Sequence, residues 1–155
     1  MRTSGLETVF GSPEGEFLAI GVRRRPYADP ANLSDDAYDW DANWVTCLLE
    51  AKLRGFRASF DVHLQTSDFP PFRDALRRLW NELLGEATFT TIEEQLALRV
   101  RGDGVVHMTM SGELRDIAGT GNRLQFKLEL DQTHLTSSLR QLDDLIDRFP
   151  VLSRR

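Results

Sequence analysis

The sequence predicts an α+β fold, with one antiparallel sheet of about six to seven strands and two amphipathic helices packed on one of its faces. Three observations carry this. Leu124, Phe126, Leu128 and Leu130 alternate with Gln125, Lys127, Glu129 and Asp131, a pattern that a half-buried strand sorts into one dry and one wet face. Directly after Thr133 the period changes, and Leu135, Leu139, Leu142, Leu145 or Ile146, and Phe149 fall on one helical stripe. The same order occurs earlier, where a long hairpin ending in Leu64-Gln65-Thr66 leads into a first helix. Two such hairpin-plus-helix units would set both helices on the same sheet face and leave the other face open.

Taken in order, residues 1–16 carry Gly5, Gly11, Pro13 and Gly15 and read as a loose lead-in to a single domain spanning 1–155. Phe17 to Val22 reads as the first strand. Arg23-Arg24-Arg25 follows as a solvated strand end, since no interleaved aromatics suggest nucleic-acid contact. Pro26 to Asp41 is loop-like and holds Asp29, Asp35, Asp36, Asp39 and Asp41 without a single Lys or Arg. Their summed charge equals the net −5 of the whole chain, so the remainder is balanced. The aspartate spacing does not match the alternating ligands of a calcium loop, which leaves plain solvation or a basic partner.

Trp44 to Leu53 and Gly55 to Leu64 read as two long strands joined at Arg54-Gly55, with Val45, Cys47, Leu49, Ala51 and Leu53 on one face. In the second, Phe56, Ala58, Phe60, Val62 and Leu64 oppose Arg57, Ser59, Asp61 and His63. The first helix runs from Asp68 or Pro70 to Leu84, because Pro70 and Pro71 fit only a helix start, and Gly85 ends it. Further strands cover Ala87 to Thr90, Gln95 to Arg101, Val105 to Leu114 and Leu124 to Asp131, with Val106, Met108, Met110 and Leu114 inward. Gly102-Asp103-Gly104 and Gly119 to Asn122 supply turns. The open face then displays His63, His107 and Lys127 among other polar residues.

Composition narrows the function classes. At 155 residues and 41% hydrophobic the chain can bury a substantial core. The acidic balance opposes binding to nucleic acid and to anionic membranes. No apolar run approaches a membrane span, and Met1 to Phe10 lacks the apolar stretch of a secretory signal, so a cytoplasmic protein is expected. One cysteine, Cys47, excludes an internal disulfide framework and falls on an apolar strand face.

Chemistry is harder to find. His63, His107 and His134 show no short metal-binding spacing, so neither a metal nor a cofactor is expected. No strand–nucleophile–helix elbow anchors a triad, and no nucleotide fingerprint is present. The expectation is a binding module without catalytic residues. An assembly protein using the open sheet face is one alternative, and a small-molecule-binding domain or enzyme with a pocket between helices and sheet is another.

Several stretches resemble a known family. Trp40-Asp41-Ala42-Asn43-Trp44, Gly112-Glu113-Leu114-Arg115-Asp116, Gly121-Asn122-Arg123-Leu124, and Leu128-Glu129-Leu130-Asp131-Gln132-Thr133 with Leu135 resemble the WapI-type immunity proteins of bacteria, over roughly Tyr38 to Pro150. Ala42 and His134 depart from the glycine and aromatic expected there. The resemblance implies a cytoplasmic protein that binds and neutralises a toxin domain, often a nuclease, and inherits no catalytic residues. On that basis the expected partner-binding residues are Asp35, Asp36, Asp39, Trp40, Asp41 and Trp44, with His63 and His107 added from the open sheet face as the alternative contact surface. The aspartates would meet a basic toxin surface, and the two tryptophans would serve as anchors or pack into the core.

Overall fold

Strand alternation and two helical stripes build thirteen elements in the computed structural model, which describes residues 6–27, 33–38 and 40–154, with 33–38 and 154 described by backbone alone. In chain order they are β1 (Leu6–Gly11), β2 (Phe17–Arg24), β3 (Leu33–Tyr38), β4 (Trp44–Leu53), β5 (Phe56–Gln65), a 3₁₀ turn (Thr66–Asp68), α1 (Phe69–Glu82), β6 (Leu84–Phe89), β7 (Leu96–Asp103), β8 (His107–Arg115), β9 (Arg123–Asp131), α2 (Gln132–Arg148) and β10 (Ser153–Arg154).

The fold is α+β, but the single sheet of six to seven strands is replaced by two. Strands run in the orders β1-β2-β4-β5 and β6-β7-β8-β9, all neighbours antiparallel, and β3 pairs separately with β10. The reason is burial. Each sheet has one apolar face, and both faces feed one continuous core with the two helices. Phe10, Leu18 and Leu49 enter it from the first sheet, Leu98, Met110 and Leu128 from the second, and Leu76 and Leu142 from the helices. Phe72 of α1 ties the sheets together, its ring 5.9 Å from Phe10 of β1 and 5.2 Å from Phe89 of β6.

The helices do not share a face of one sheet either. Although α1 follows the first sheet, it packs against β6, and α2, which follows the second sheet, lies along β1. Gln141 and Ser138 of α2 reach the free edge of β1. The Val9 amide donates to Gln141 Oε1 at 2.7 Å, and Ser138 Oγ donates to the Val9 carbonyl at 2.6 Å. An exposed strand edge is thereby sealed by side chains rather than by another strand.

That contact also explains why β1 does not declare itself in the sequence and why Leu6–Gly11 is no loose lead-in. Thr8, Val9, Phe10 and Gly11 are all buried, since one face of β1 meets the main core while Val9 joins Phe17 and Ala19 on the other. A strand covered on both sides has no alternation to show.

Smaller corrections follow from geometry. α1 ends at Glu82, capped by Leu83, which adopts the left-handed conformation (φ 61°) and donates its amide to the Leu79 carbonyl, while Gly85 lies inside β6. Val106 precedes its strand and is 52% exposed rather than inward, and Phe56, at the start of β5, is 64% exposed.

Candidate functional site

The turn from Trp40 to Trp44 is organised by Asn43, a fully buried polar residue. Its side-chain oxygen accepts from Thr66 Oγ1 and from the Leu152 amide at 2.8 Å, and its Nδ2 donates to the Leu152 carbonyl at 2.7 Å. Its own carbonyl accepts from the Thr66 amide at 2.9 Å. One side chain thus joins the entry of β4, the exit of β5 and the C-terminal segment. Arg25 adds a second clamp, donating to the carbonyls of Ala42 and Pro150 with its guanidinium 5.9 Å from the Phe149 ring centroid. The arginine triplet is therefore not simply solvated: Arg25 is bound, and Arg23 lies 3.3 Å from Asp61.

These clamps bring the C-terminal residues alongside the acidic stretch. Tyr38 pairs with Ser153 and Leu33 with Arg154, so Asp35 and Asp36 sit in strand β3 and not in a loop. Tertiary pairing with distant residues overrides the local turn-forming composition of 26–41. Asp29 and Asp39 lie outside the described residues. Asp41 is exposed in the turn, and Trp40 beside it is 56% exposed, with its carbonyl accepting from Gln65 Nε2 at 3.1 Å. Trp44 is half-buried and opens β4 opposite Gln65.

His63 belongs to the same region. It stands on the outer face of the first sheet opposite Thr46, whose hydroxyl is 3.4 Å from His63 Nδ1, and Thr46 is two residues from Trp44 on that face. His107 does not. It stands on the outer face of the second sheet, opposite Asp131. The single open face expected to hold both histidines is split between two sheets, and among the residues whose side chains are described Trp40, Asp41, Trp44 and His63 share one region while His107 does not.

The other motifs behind the resemblance hold the scaffold. A Cβ on Gly112 would lie 2.6 Å from Phe126 Cζ, so only glycine leaves room for that ring on the neighbouring strand. Asp116 accepts from the Asn122 amide at 2.7 Å and from its Nδ2 at 3.2 Å, closing the β8–β9 turn, and these bonds hold its carboxyl below the ordinary aspartate range. Asp131 caps α2 by accepting from the His134 amide at 2.7 Å. Burial pushes the Cys47 thiol well up, away from the reactive thiolate. Among the described residues, no three His, Cys, Asp or Glu side chains converge where a metal ion could sit, and no helix is long and apolar enough to cross a membrane.

Part of the open polar face expected from the sequence forms a second surface, on the second sheet alone. The outer face of the second sheet is concave, with a volume of about 660 Å³, and across it Thr88, Arg99, Ser111 and Lys127 form a row from β6 to β9. Alternation marks Arg99, Ser111 and Lys127 as outward-facing, but only the strand order aligns them.

A model of the immunity protein WapI-like family matches residues 9–150. No curated protein matches the chain. Among solved structures, the chain is similar to the Trypanosoma brucei MRP1/MRP2 crystal structures, with a TM-score of 0.51 at 10% identity over 97% of this chain and 88% of that one. At that identity the likeness describes the fold alone.

Proposed function

The chain belongs to the immunity protein WapI-like family, and from this we propose that it is a non-enzymatic, cytoplasmic immunity protein that binds and neutralises a toxin domain. The family match over residues 9–150 is the observation that carries the reading. The toxin surface it fits is basic, as the surfaces of nucleic-acid-cleaving enzymes are. Asp35, Asp36, Asp39 and Asp41 steer the encounter, while Trp40, Trp44 and His63 form the adjoining contact area. The support is their chemistry and, for part of the set, their placement: Asp35 and Asp36 lie on β3, paired with the C-terminal residues, and Asp41 is exposed in the turn beside the exposed Trp40, four residues before the half-buried Trp44. Charge of this kind acts mainly on association rate, and buried aromatics mainly on residence. His107 stands apart from this surface.

The test takes as candidate partner a toxin domain encoded in the gene neighbourhood of this chain. Purified protein should bind that domain and abolish its activity. The quadruple variant D35N/D36N/D39N/D41N should fold normally and associate more slowly at low salt. The deficit should shrink as salt rises, because steering is screened over about 10 Å at 0.1 M. W40A should instead dissociate faster at every ionic strength. Unchanged association of the quadruple variant at low salt would move the contact to the concave face of the second sheet, and absence of any binding would reject the immunity role.

A further inference from the structure

We propose that the outer edge of β5 pairs with the same edge of a second copy of this chain, in an antiparallel register centred on Ser59. Each sheet ends in two edge strands. β1 is sealed by Gln141 and Ser138 of α2, and β6 lies against α1. β9 carries Lys127 at the middle of its outer face, a residue type that blunts edge pairing, and the end of β1 abuts it at Leu128. Among the described residues, no side chain of α1 or α2 caps the backbone of β5 by hydrogen bonds, its outward charges Arg57 and Asp61 are of opposite sign, and its first half opens onto a recess of about 410 Å³ that it shares with the β8–β9 end. Over Phe56–Gln65 it holds no proline and no lysine, and it pairs with β4 without a bulge. Among the described residues nothing pairs with its other side.

The backbone groups on that edge follow from those already assigned. The Val9 amide and carbonyl point out of the first sheet towards α2. Antiparallel strands alternate between inward and outward hydrogen-bonding residues. Carried through the registers Val9↔Ala19, Ala19↔Glu50 and Leu49↔Phe60, the alternation turns Phe56, Ala58, Phe60, Val62 and Leu64 towards β4. Arg57, Ser59, Asp61 and His63 therefore present their amides and carbonyls outward. The Gln65 amide confirms the parity, since it also points away from β4 and is taken by Asp68 Oδ2 at 3.0 Å.

Charge selects the occupant and the register. A two-fold axis through Ser59 sets Arg57 opposite Asp61 of the second copy, twice, and Ser59 opposite its own counterpart. On the other face it sets Phe56 opposite Val62 of the second copy and Ala58 opposite Phe60, giving the exposed Phe56 ring an apolar neighbour. Shifting the axis to Phe60 opposes Arg57 to His63, and shifting it to Asp61 opposes two carboxylates. A pair of β9 edges centred on Lys127 would oppose two ammonium groups. Opposite charges directly across strands stabilise a pair and like charges oppose it.

The experiment measures mass against concentration for the full chain. The parent should rise from 17.7 kDa towards twice that value. R57D alone and D61R alone each oppose like charges twice and should need about tenfold higher concentration to associate. Mixed in equal amounts, the two variants restore both opposite-charge pairs and should form a mixed dimer at parental concentrations, which native mass spectrometry resolves. That rescue also shows that neither variant is merely unfolded. A parent that stays at monomer mass to about 1 mM, or variants that associate no better together than apart, would overturn the proposal. So would a foreign strand occupying this edge of a chain that never self-associates. Toxin neutralisation is read separately, so failure here leaves the immunity reading standing.

Discussion

Asn43 shows how much of this molecule hangs on single polar side chains. Its side chain hydrogen-bonds the Thr66 hydroxyl on the 3₁₀ turn after β5, both backbone groups of Leu152 in the C-terminal segment, and the Arg25 guanidinium. Removing them in N43A strands a buried threonine hydroxyl and two half-buried backbone groups of Leu152, and unsatisfied buried groups cost more than the bonds nominally contribute. Chemical denaturation should report a loss of about 3 kcal/mol. Hydrogen exchange should show faster exchange in β10 than in β9. Thr8 provides the converse. Its hydroxyl is fully buried on β1 with no hydrogen-bond partner, so T8V, nearly the same shape, should stabilise the protein by about 1 kcal/mol in the same assay.

At the scale of elements, the turns are where chemistry fixes backbone. The β8–β9 connection closes on Asp116 and Asn122, and a Cβ on Gly121 would collide with Asp116 Oδ1 at 2.2 Å. Because Asn122 depresses the Asp116 carboxyl, the stability it contributes is present above the ordinary aspartate pKa and is lost as pH falls through the depressed value. D116N should lack that component, and urea unfolding of parent and variant should diverge above about pH 4 and converge below it. Asp68 works with the opposite sign. Burial raises its carboxyl, so its native state holds the proton more tightly and its contribution declines as pH rises from the ordinary value. Measuring D68N beside D116N separates the two limbs.

At the scale of the whole molecule, the two halves exchange helices. The first sheet is completed by α2 along β1, and the second by α1 against β6. The rings of Phe10, Phe72 and Phe89 cross the same boundary. Neither half can then bury its apolar face alone. We expect residues 1–84 and 85–155, produced separately, to lack dispersed amide spectra and cooperative thermal unfolding, and to regain both when mixed. A folded isolated half would show that the shared core is a docking surface between two independent units.

Sequence by itself determined the period of nearly every element. Alternation places the inward faces of β4 and β9 residue by residue, and the stripes of α1 and α2 follow from apolar spacing, because side-chain direction in a strand or helix is a local property. It also determined the family, through short stretches whose side chains turn out to set turns, caps and close packing. What it could not contain was adjacency. Whether eight strands form one sheet or two depends on which apolar faces meet, and the histidines His63 and His107 parted company for that reason alone. β1 lost its alternation to burial on both sides, and β3 became a strand only because Asn43 and Arg25 hold the C-terminal residues against it. Those outcomes rest on contacts between residues more than a hundred positions apart, which no local pattern encodes.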